Sequence, residues 1–332
     1  MYSIDRAVLL AGIMFAGMCS GSAAEWQVDV VPVPSRITAL ETSGDQIRVV
    51  AGGSWYAAIL ENEGVRLQSL PAPKRATLPQ GGLPDSKVAI GQKNIARAWL
   101  AEPTTRYAHG VLGDAIEAGS LVVERRDGRR DVVRLSPAAV FEDLEPRIVE
   151  LDNDGEEKII VVKSYVDRGA CLAVIGTRDG RATVVAETPP LGGPNRWLNP
   201  AGIADFDGDG QMDIAIVRMP HAVGQLELWS WRDSALVKMV EFSGVTNHVI
   251  GSRVLRMSGI ADFDGNGKPD LAIPSFDRRE MLILAFWPRV GEIARVRLPA
   301  NISTEIAVLR DQHGSSTILV GLEDGSLIHM RR

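Results

Sequence analysis

The sequence predicts an all-β fold, a β-propeller built from four-stranded antiparallel blades. Three observations lead to this prediction: short apolar or alternating runs recur along the chain, Asp-Gly turn signals separate them, and an acidic segment starting at Asp205 returns 57 residues later at Asp262. Four short strands and their turns take up about 50 residues, which is the usual size of a propeller blade. No stretch with helical periodicity interrupts this pattern.

The predicted strands follow a period of two. They are Ile159–Val162, Leu172–Ile175, Ile214–Val217, Leu226–Trp231, Leu271–Pro274, Met281–Phe286 and Thr317–Val320. An Asp-Gly pair lies between such runs at residues 126–129, 178–181 and 323–326, which predicts tight hairpin turns.

The acidic segments set the register of the blades. The predicted blades cover 35–72, 83–137, 145–190, 198–244, 254–300 and 302 to the end, which makes about six. Seven is the alternative, because the divisions before residue 140 are faint. The last unit has only three strands, so Trp26–Val31 is expected to supply the fourth and close the ring.

Length and composition fit one folded domain. The chain has 332 residues, of which 45% are hydrophobic and 23% charged, and its formal net charge is −6. With this balance and no long basic run, nucleic acid is not an expected partner. Residues 25–332 are expected to form a single propeller whose repeats are best defined over 145–300.

The first 24 residues have the pattern of a signal peptide. Arg6 precedes the apolar run Ala7–Met18, and Ser22-Ala23-Ala24 matches a signal-peptidase site, whereas the alternative is a buried N-terminal helix. The run is too short to cross a bilayer, and no later stretch approaches the length of a transmembrane segment. We therefore expect an exported protein, periplasmic or secreted. Cys19 raises the question of a lipid anchor, but the bulky Met18 before it argues against one.

The first acidic segment spaces oxygen atoms for a hard cation. Its side-chain oxygens fall at loop positions one, three, five and nine, a main-chain carbonyl lies at seven, and a glycine allows the sharp turn at six, a set that suits Ca²⁺. Without a cation, the carboxylates would repel one another strongly. The proposed ligands are Asp205, Asp207, Asp209, the carbonyl of Gln211, and Asp213.

The second and third segments are weaker versions of the first. The proposed ligands of the second are Asp262, Asp264, Asn266, the carbonyl of Lys268, and Asp270. Three carboxylates and one amide predict weaker Ca²⁺ binding than in the first loop. The third, degenerate loop has Glu150, Asp152 and Asp154, but Lys158 stands at position nine, and its ammonium group can take the place of an ion. Calcium is therefore expected at two sites and disfavoured at the third.

These loops are not EF-hands. An EF-hand needs a Glu at position twelve and helices on both sides, whereas Ile216 and Ile273 stand there and the flanking segments are predicted strands. The remaining alternative is a pair of Asp-Gly turns that are acidic by chance. Two nearly identical segments in register with the strand repeat argue against it.

With these motifs, the sequence resembles the FG-GAP/VCBS-type repeat proteins, whose best-known members are the propellers of integrin α chains. The matching segments are residues 203–216 and 260–273, with a weak copy at 150–158. The resemblance implies a propeller of about seven blades with calcium in the aspartate loops. The chain lacks the Phe-Gly and Gly-Ala-Pro signature, and its first 140 residues show no calcium loop. Because this group is functionally mixed, the resemblance implies fold and metal rather than activity.

A ligand surface is expected on the side of the disc opposite the acidic loops, because successive connections of an antiparallel blade alternate between its two faces. The connections on that side are rich in polar and aromatic residues: Tyr165, Asp167, Arg168, Asn195, Arg196, Trp197, His221, Asn247, His248, Arg253, Asp277 and Arg278. Arginine and tryptophan in a propeller mouth suit an anionic or sugar-like ligand, or a protein partner. The alternative is that Asp-Arg pairs brace the loops and that Trp197 caps the core.

Catalysis has less support in the sequence. The five histidines show no metal-binding spacing, and the chain has no nucleophile elbow and no phosphate loop. His221 and His248 fall on the same predicted face and could act as acid and base, which keeps a carbohydrate-active lyase or hydrolase as the alternative to a binding module.

Overall fold

The computed structural model describes residues 25–44, 46–61, 64–74, 77–311 and 314–332, so the predicted signal peptide lies outside the described residues. These residues form 25 strands and no helix. Within the described ranges there is accordingly no helix long and apolar enough to cross a membrane.

The strands form six blades of four antiparallel strands, with one further strand between blades two and three. The chain begins with β1 (Gln27–Val31), which belongs to the last blade. Blade one contains β2 (Ile37–Ser43), β3 (Gln46–Ala51), β4 (Ser54–Glu61) and β5 (Gly64–Leu70). Blade two contains β6 (Ala89–Ile90), β7 (Ile95–Thr104), β8 (Glu117–Arg125) and β9 (Arg130–Arg134). The bridging strand is β10 (Ala139–Phe141), and blade three contains β11 (Arg147–Glu150), β12 (Glu157–Tyr165), β13 (Gly169–Arg178) and β14 (Arg181–Glu187).

The last three blades follow in the same order. Blade four contains β15 (Leu198–Ala204), β16 (Asp213–Arg218), β17 (Gln225–Arg232) and β18 (Ala235–Ser243). Blade five contains β19 (Gly259–Ala261), β20 (Asp270–Pro274), β21 (Glu280–Ala285) and β22 (Gly291–Arg297). Blade six contains β23 (Ile302–Arg310), β24 (Ser316–Leu322), β25 (Leu327–Arg331) and β1. The prediction of a propeller of about six blades is therefore confirmed.

The N-terminal strand closes the ring. β1 pairs antiparallel with β25, from Gln27 opposite Arg331 to Val31 opposite Leu327. This pairing supplies the fourth strand that the last unit lacks, as the sequence predicts, and it covers an edge that would otherwise expose unpaired backbone groups.

The core lies in the middle strands of each blade. In blade three, every residue of β13 from Gly169 to Gly176 is buried, and in blade four every residue of β16 from Asp213 to Val217 is buried. The outer strand β18 is mostly exposed or half-buried. Middle strands packed on both faces explain why the sequence reads as continuous apolar runs there rather than as alternation.

The bridging strand β10 joins blades two and three. Phe141 pairs with Ala118 at the start of β8, and residues 139–141 pair with the end of β12. The residue after β10, Glu142, donates its N–H to the carbonyl oxygen of Val162 at 3.1 Å. The bridge therefore fixes the backbone of Glu142 between the two blades.

The connections divide between two faces of the disc. We call the face with connections 151–156, 205–212 and 262–269 the acidic face; each links the first and second strands of its blade. We call the opposite face, with connections 105–116, 142–146, 188–197, 219–224 and 244–258, the histidine face, because it carries His109, His221 and His248.

Candidate functional site

The first acidic loop gathers its carboxylates as its spacing predicts. It connects β15 to β16, and oxygens of Asp205, Asp207 and Asp209 lie within 4.8 Å of one another. Backbone N–H groups hold the turn, because Gly210 donates to Asp205 at 3.1 Å and Gln211 donates to Asp209 at 2.8 Å. The aspartate side chains thus accept hydrogen bonds from the backbone of their own loop and stabilise its turn.

Two carboxylate oxygens of this loop are buried without a well-formed hydrogen bond among the described residues: Oδ1 of Asp205 and Oδ1 of Asp213. Asp213 is wholly buried at the start of β16, and its other oxygen accepts from the N–H of Phe206 at 3.1 Å. Burial raises the pKa of Asp213 to about 6, although the nearby Ser230 hydroxyl opposes the shift. Unpaired buried oxygens are expensive, so the loop fits a cation that they could bind.

Two basic side chains already lie beside this loop. Nη2 of Arg232 is 2.9 Å from Asp209 Oδ2 and 3.5 Å from Asp207 Oδ2. The side chain of Lys268, from the second loop, lies against Gly208. The sequence did not point to either side chain as a partner of this loop, since both come from distant segments.

The second loop, between β19 and β20, is built in the same way. Oxygens of Asp262, Asp264 and Asp270 lie within 4.8 Å of one another. Asp270 accepts from the N–H of Phe263 at 2.8 Å, and burial raises the pKa of Asp270 to about 6. Asn266 donates from its side-chain amide to Asp264 at 2.9 Å, and its oxygen accepts from the N–H of Lys268 at 2.7 Å. In this conformation both ends of the Asn266 side-chain amide are used in hydrogen bonds within the turn.

The third loop, between β11 and β12, carries its own cation. Nζ of Lys158 lies 2.6 Å from Asp152 Oδ1 and 2.9 Å from Asp154 Oδ2. Burial would lower the pKa of Lys158, but the hydrogen bonds to these two carboxylates outweigh it, and the pKa is raised. Glu150 points elsewhere: it pairs with Lys93 and accepts from the N–H of Gly155. The ammonium thus occupies the position that an ion would take.

On the histidine face, three predicted residues meet. The ring of Trp197 is stacked parallel to that of His221, with centroids 6.1 Å apart, and meets the edge of His248 at 4.7 Å. His221 and His248 are joined by a contact of 2.9 Å between Nε2 and Nδ1. Each of these three rings comes from a different connection: 188–197, 219–224 or 244–258.

The hydrogen-bond partners fix the tautomers of the two histidines. Nε2 of His248 lies 2.9 Å from the carbonyl oxygen of Ser252, which can only accept, so this nitrogen carries the hydrogen. Burial lowers the pKa of His248 to about 3 and that of His221 to about 4, so both rings are neutral at pH 7. Nδ1 of His248 therefore accepts from Nε2 of His221. The lone pair of the His221 ring is therefore on Nδ1.

A histidine–carboxylate pair lies next to these rings. Nδ1 of His109 is 2.6 Å from Oε1 of Glu142, and the Ser164 hydroxyl donates to the other oxygen. The Trp197 indole N–H donates to the carbonyl oxygen of Glu142 at 3.1 Å. Burial raises the pKa of Glu142, while the hydrogen bond from His109 opposes this shift. The side chain of Glu142 is wholly buried, whereas that of His109 is 13% exposed.

Two further acidic groups border this pair. Tyr107 meets His109 edge to face at 5.8 Å, and its hydroxyl oxygen accepts from the N–H of Asn195 at 2.9 Å. Burial raises the pKa of Glu117 to about 9, and the charges of Glu142 and Asp114 add to this shift. Glu117 is therefore a neutral carboxylic acid at pH 7. We call Tyr107, His109, Glu117, Glu142, Ser164, Trp197, His221 and His248 the histidine cluster.

The other predicted ligand residues brace loops. Arg253 pairs with Asp114 at 2.9 Å and with Asp85 at 3.2 Å. Arg278 pairs with Glu323 at 2.7 Å and donates to the carbonyl oxygen of Ile302 at 2.7 Å. These guanidinium groups hold neighbouring connections together.

Three more of the predicted ligand residues, in blades three, four and five, also form hydrogen bonds that hold the connections in place. Asp277 accepts from the Ser275 hydroxyl at 2.6 Å. Arg196 donates to the carbonyl oxygen of Leu191 at 3.0 Å. The amide of Asn247, which is wholly buried, donates to the carbonyl oxygens of Asn199 and Pro200.

Tyr165, Asp167 and Arg168 form a separate group at the end of β12. The guanidinium of Arg168 lies 3.9 Å from the Tyr165 ring centroid and 3.5 Å from Asp167. The Tyr165 hydroxyl donates to Glu187 at 2.7 Å. Asp167 and Arg168 are exposed, so this group stays accessible on the histidine face.

Sequence reasoning missed Tyr107, His109, Glu117 and Glu142. They come from connection 105–116, from the start of β8 and from the residue after β10, in the part of the chain where the repeat is faintest. The spacing of polar residues there carries no signal, because the cluster depends on a bridging strand that the four-strand period does not predict.

The chain shows distant structural similarity to proteins of known structure. No protein-family profile matches the sequence, and no curated protein sequence matches it. The chain is similar to selenomethionine-substituted virginiamycin B lyase from Staphylococcus aureus, with a TM-score of 0.43 and 13% identity over 93% of this chain and 100% of the lyase chain. It is also similar to the N-terminal domain of Nup159, with a TM-score of 0.39 and 13% identity over 89% of this chain and 76% of that chain.

Similarities this distant carry no argument about activity. The class of the protein, a six-bladed β-propeller, rests on the strand order described above. The resemblance to FG-GAP/VCBS repeat proteins rests on the sequence motifs alone.

Proposed function

We propose that this chain is an exported, calcium-stabilised β-propeller that binds a small ligand at the histidine cluster. The observation that carries the proposal is the meeting of Trp197, His221 and His248 with the His109–Glu142 pair at one place on the histidine face. Trp197 is only 3% exposed and packs in the hydrophobic core, so the rings of the cluster that can reach a ligand are the partly exposed His109 and His221. Convergent polar groups beside aromatic surface are typical of ligand sites.

The contacts favour a hydroxylated, sugar-like ligand over an anion. An anion would need free guanidinium groups, but Arg253 and Arg278 are paired with carboxylates. Imidazole nitrogens exchange hydrogen bonds with hydroxyl groups. Val223 and Ile250, both exposed, follow His221 and His248 by two residues and offer apolar surface to the C–H groups of a sugar.

A binding screen tests this proposal. The probes are an array of neutral and acidic oligosaccharides and a panel of inorganic and carboxylate anions, presented to the mature chain in millimolar Ca²⁺. We expect a neutral oligosaccharide to bind, and binding to be lost in His221→Ala but kept in Arg168→Ala. Binding by anions alone, or by no probe, would reject the proposal.

The calcium part of the proposal is supported by the loop geometry and by the resemblance to FG-GAP/VCBS repeats. In each of the first two loops three aspartate oxygens lie within 4.8 Å, and the first has two buried oxygens without a well-formed hydrogen bond. Bound Ca²⁺ would supply the charge that the carboxylates need. Calorimetric titration with CaCl₂ should give two sites, and Asp213→Asn should leave one.

Export is supported by the signal-peptide pattern of residues 1–24. The proposed cleavage follows Ala24. N-terminal sequencing of protein secreted from a bacterial host should begin at Glu25, and an uncleaved chain retained in the cytoplasm would contradict export.

A second candidate function is an acid–base enzyme acting on a glycan or an ester. It is favoured by the 2.9 Å contact between His221 and His248, which holds a neutral imidazole with a free nitrogen on the ligand face. This reading expects turnover of a soluble glycan or ester that His221→Ala abolishes. A bound oligosaccharide recovered intact after long incubation would favour the binding module.

A further inference from the structure

The strongest unassigned feature is the His109–Glu142 pair. Its two members come from different connections, and the structure fixes both ends of Glu142. Its backbone N–H donates to Val162, its carbonyl accepts from Trp197, and its carboxylate accepts from Ser164. The carboxylate therefore cannot rotate away without breaking these contacts.

The neighbouring residue shows what an ordinary buried acid looks like here. Asp143 is also buried, but Nη1 of Arg147 lies 2.8 Å from its carboxylate, and the N–H groups of Leu144 and Val162 donate to it. Its charge has a fixed counter-charge. Asp143 thus has the partners of a structural residue.

Glu142 lacks such a counter-charge. Among the described residues, its carboxylate contacts no lysine or arginine, only the His109 ring and the Ser164 hydroxyl. A buried carboxylate is costly unless a positive charge or a proton compensates it. The hydrogen bonds that compensate the carboxylate come from the His109 ring, which is the partly exposed member of the pair, and from the Ser164 hydroxyl.

We propose that His109 and Glu142 form a proton-transfer dyad at the histidine cluster, in which Nε2 of His109 exchanges a proton with the bound ligand and Glu142 is the positioning residue. This inference rests on the proposed ligand site on the same face. Ionised Glu142 accepts from Nδ1–H, which leaves the lone pair on Nε2. When a ligand X–H gives its proton to Nε2, the ring becomes an imidazolium balanced by Glu142, and the ligand keeps the electron pair of the broken bond. Returning the proton reverses the step.

His221 has a different role in the same site. Its ring is held by His248, which in turn donates to the carbonyl oxygen of Ser252, so Nδ1 of the partly exposed His221 is left as the hydrogen-bond acceptor of this ring. His248 has no free nitrogen and acts only through His221. The acid–base pair predicted from sequence, His221 with His248, is thereby replaced by His109 as the proton carrier and His221 as the acceptor that orients the ligand.

Nitrogen NMR of the histidine-labelled mature chain in Ca²⁺ tests the dyad, with signals assigned from single His→Gln variants. We expect neutral His109 in the Nδ1–H tautomer, with its ring proton far downfield because the carboxylate accepts it. This proton should shift upfield in Glu142→Gln and stay in place in Glu305→Gln, a buried acid outside the histidine cluster. An Nε2–H tautomer, or a proton that Glu142→Gln does not move, would overturn the dyad.

Ser164→Ala keeps the test available if Glu142→Gln fails to fold. It leaves the carboxylate in place but removes its second donor, so the same ring proton should move further downfield. No movement, or an upfield shift, would overturn the proposal.

Chemical modification tests whether the proton-exchanging nitrogen can be reached. Diethyl pyrocarbonate acylates unprotonated imidazole nitrogens, and mass spectrometry locates the product. We expect modification of His109 and His221, with His248 and His329 protected because both are buried. A protected His109 would overturn the dyad. If the oligosaccharide screen gives no hit but the tautomer and the modification of His109 are as expected, the proposed ligand-binding function is rejected and the His109–Glu142 dyad stands.

Discussion

The two faces of the propeller handle charge in opposite ways. On the acidic face, one short segment supplies every proposed cation ligand of a loop, and buried oxygens of Asp205 and Asp213 are left without a well-formed hydrogen bond. On the histidine face, separate connections supply the groups, and they satisfy one another, as His248 does for His221. The acidic loops are therefore suited to a cation from solution, whereas the rings of the histidine face bond one another, although Oδ1 of the buried Asn247 on that face is also left without a hydrogen bond among the described residues.

The largest effect expected from this difference is calcium dependence of stability. Ca²⁺ at about a hundredfold excess over its Kd should add about 2.7 kcal/mol for each occupied site, and hence roughly 5 kcal/mol for two. We expect the melting temperature to rise by roughly 10 °C between EDTA and millimolar Ca²⁺. Differential scanning calorimetry of the mature chain measures it.

The third loop provides the control for this prediction. Asp213→Asn should remove about half of the calcium-dependent shift, whereas Asp154→Ala should leave it intact, because Lys158 already neutralises that loop. A melting temperature that is the same in EDTA and in Ca²⁺ would remove the basis for contrasting the two faces.

The same difference explains which features the sequence reveals. The acidic loops, the strand repeat and the closing strand are local or periodic patterns, so spacing alone predicts them: Arg178 pairs with Arg181 across the predicted two-residue turn, and β1 pairs with β25. Trp197, His221 and His248 could be placed on one face because connections alternate. The contact between His109 and Glu142 could not, since it depends on β10, a strand outside the four-strand period. Nor does sequence tell whether an arginine such as Arg278 is free or paired.

The second prediction compares the adjacent acids Asp143 and Glu142. Asp143→Asn should destabilise the protein by about 3–5 kcal/mol, because it leaves the largely buried Arg147 without its counter-charge. Glu142→Gln should cost only about 1–2 kcal/mol, because the amide keeps an acceptor for His109 and a polar contact with Ser164. Urea unfolding in saturating Ca²⁺ measures both. Equal losses would show that Glu142 is as structural as its neighbour.

The third prediction concerns pH and the histidine pair. The pKa values of His221 and His248 are lowered to about 4 and about 3 in the folded chain, so the unfolded chain binds protons first as the pH falls. Their contribution to stability is therefore complete above pH 6.5 and is lost as the pH falls toward 4 and 3. Between pH 6 and 4.5 the pair should account for about 2–3 kcal/mol of the loss.

The measurement is a difference between two proteins. The His221→Gln/His248→Gln double variant should lose less stability than the wild type over that interval, in urea unfolding at each pH with Ca²⁺ held constant. Comparison at pH 8, where neither ring is charged, removes the packing cost of the substitutions. Parallel curves for the two proteins would show that the rings are not held neutral by the fold.

The smallest predicted effect concerns Arg232, whose guanidinium contacts two carboxylates of the first loop. If the first loop needs a cation from solution, this partly exposed arginine competes with that cation for the carboxylates. Arg232→Gln should then tighten Ca²⁺ binding at the first loop about two- to fivefold, which corresponds to the free energy of a surface ion pair. Competition with a calcium chelator measures it. Arg295→Gln, which removes an ion pair with Glu280 and Glu292 in blade five, is the matched control and should change neither site. Weaker binding in Arg232→Gln would mean that the arginine holds the carboxylates in place for the ion, so that even the acidic face is organised partly by a distant residue.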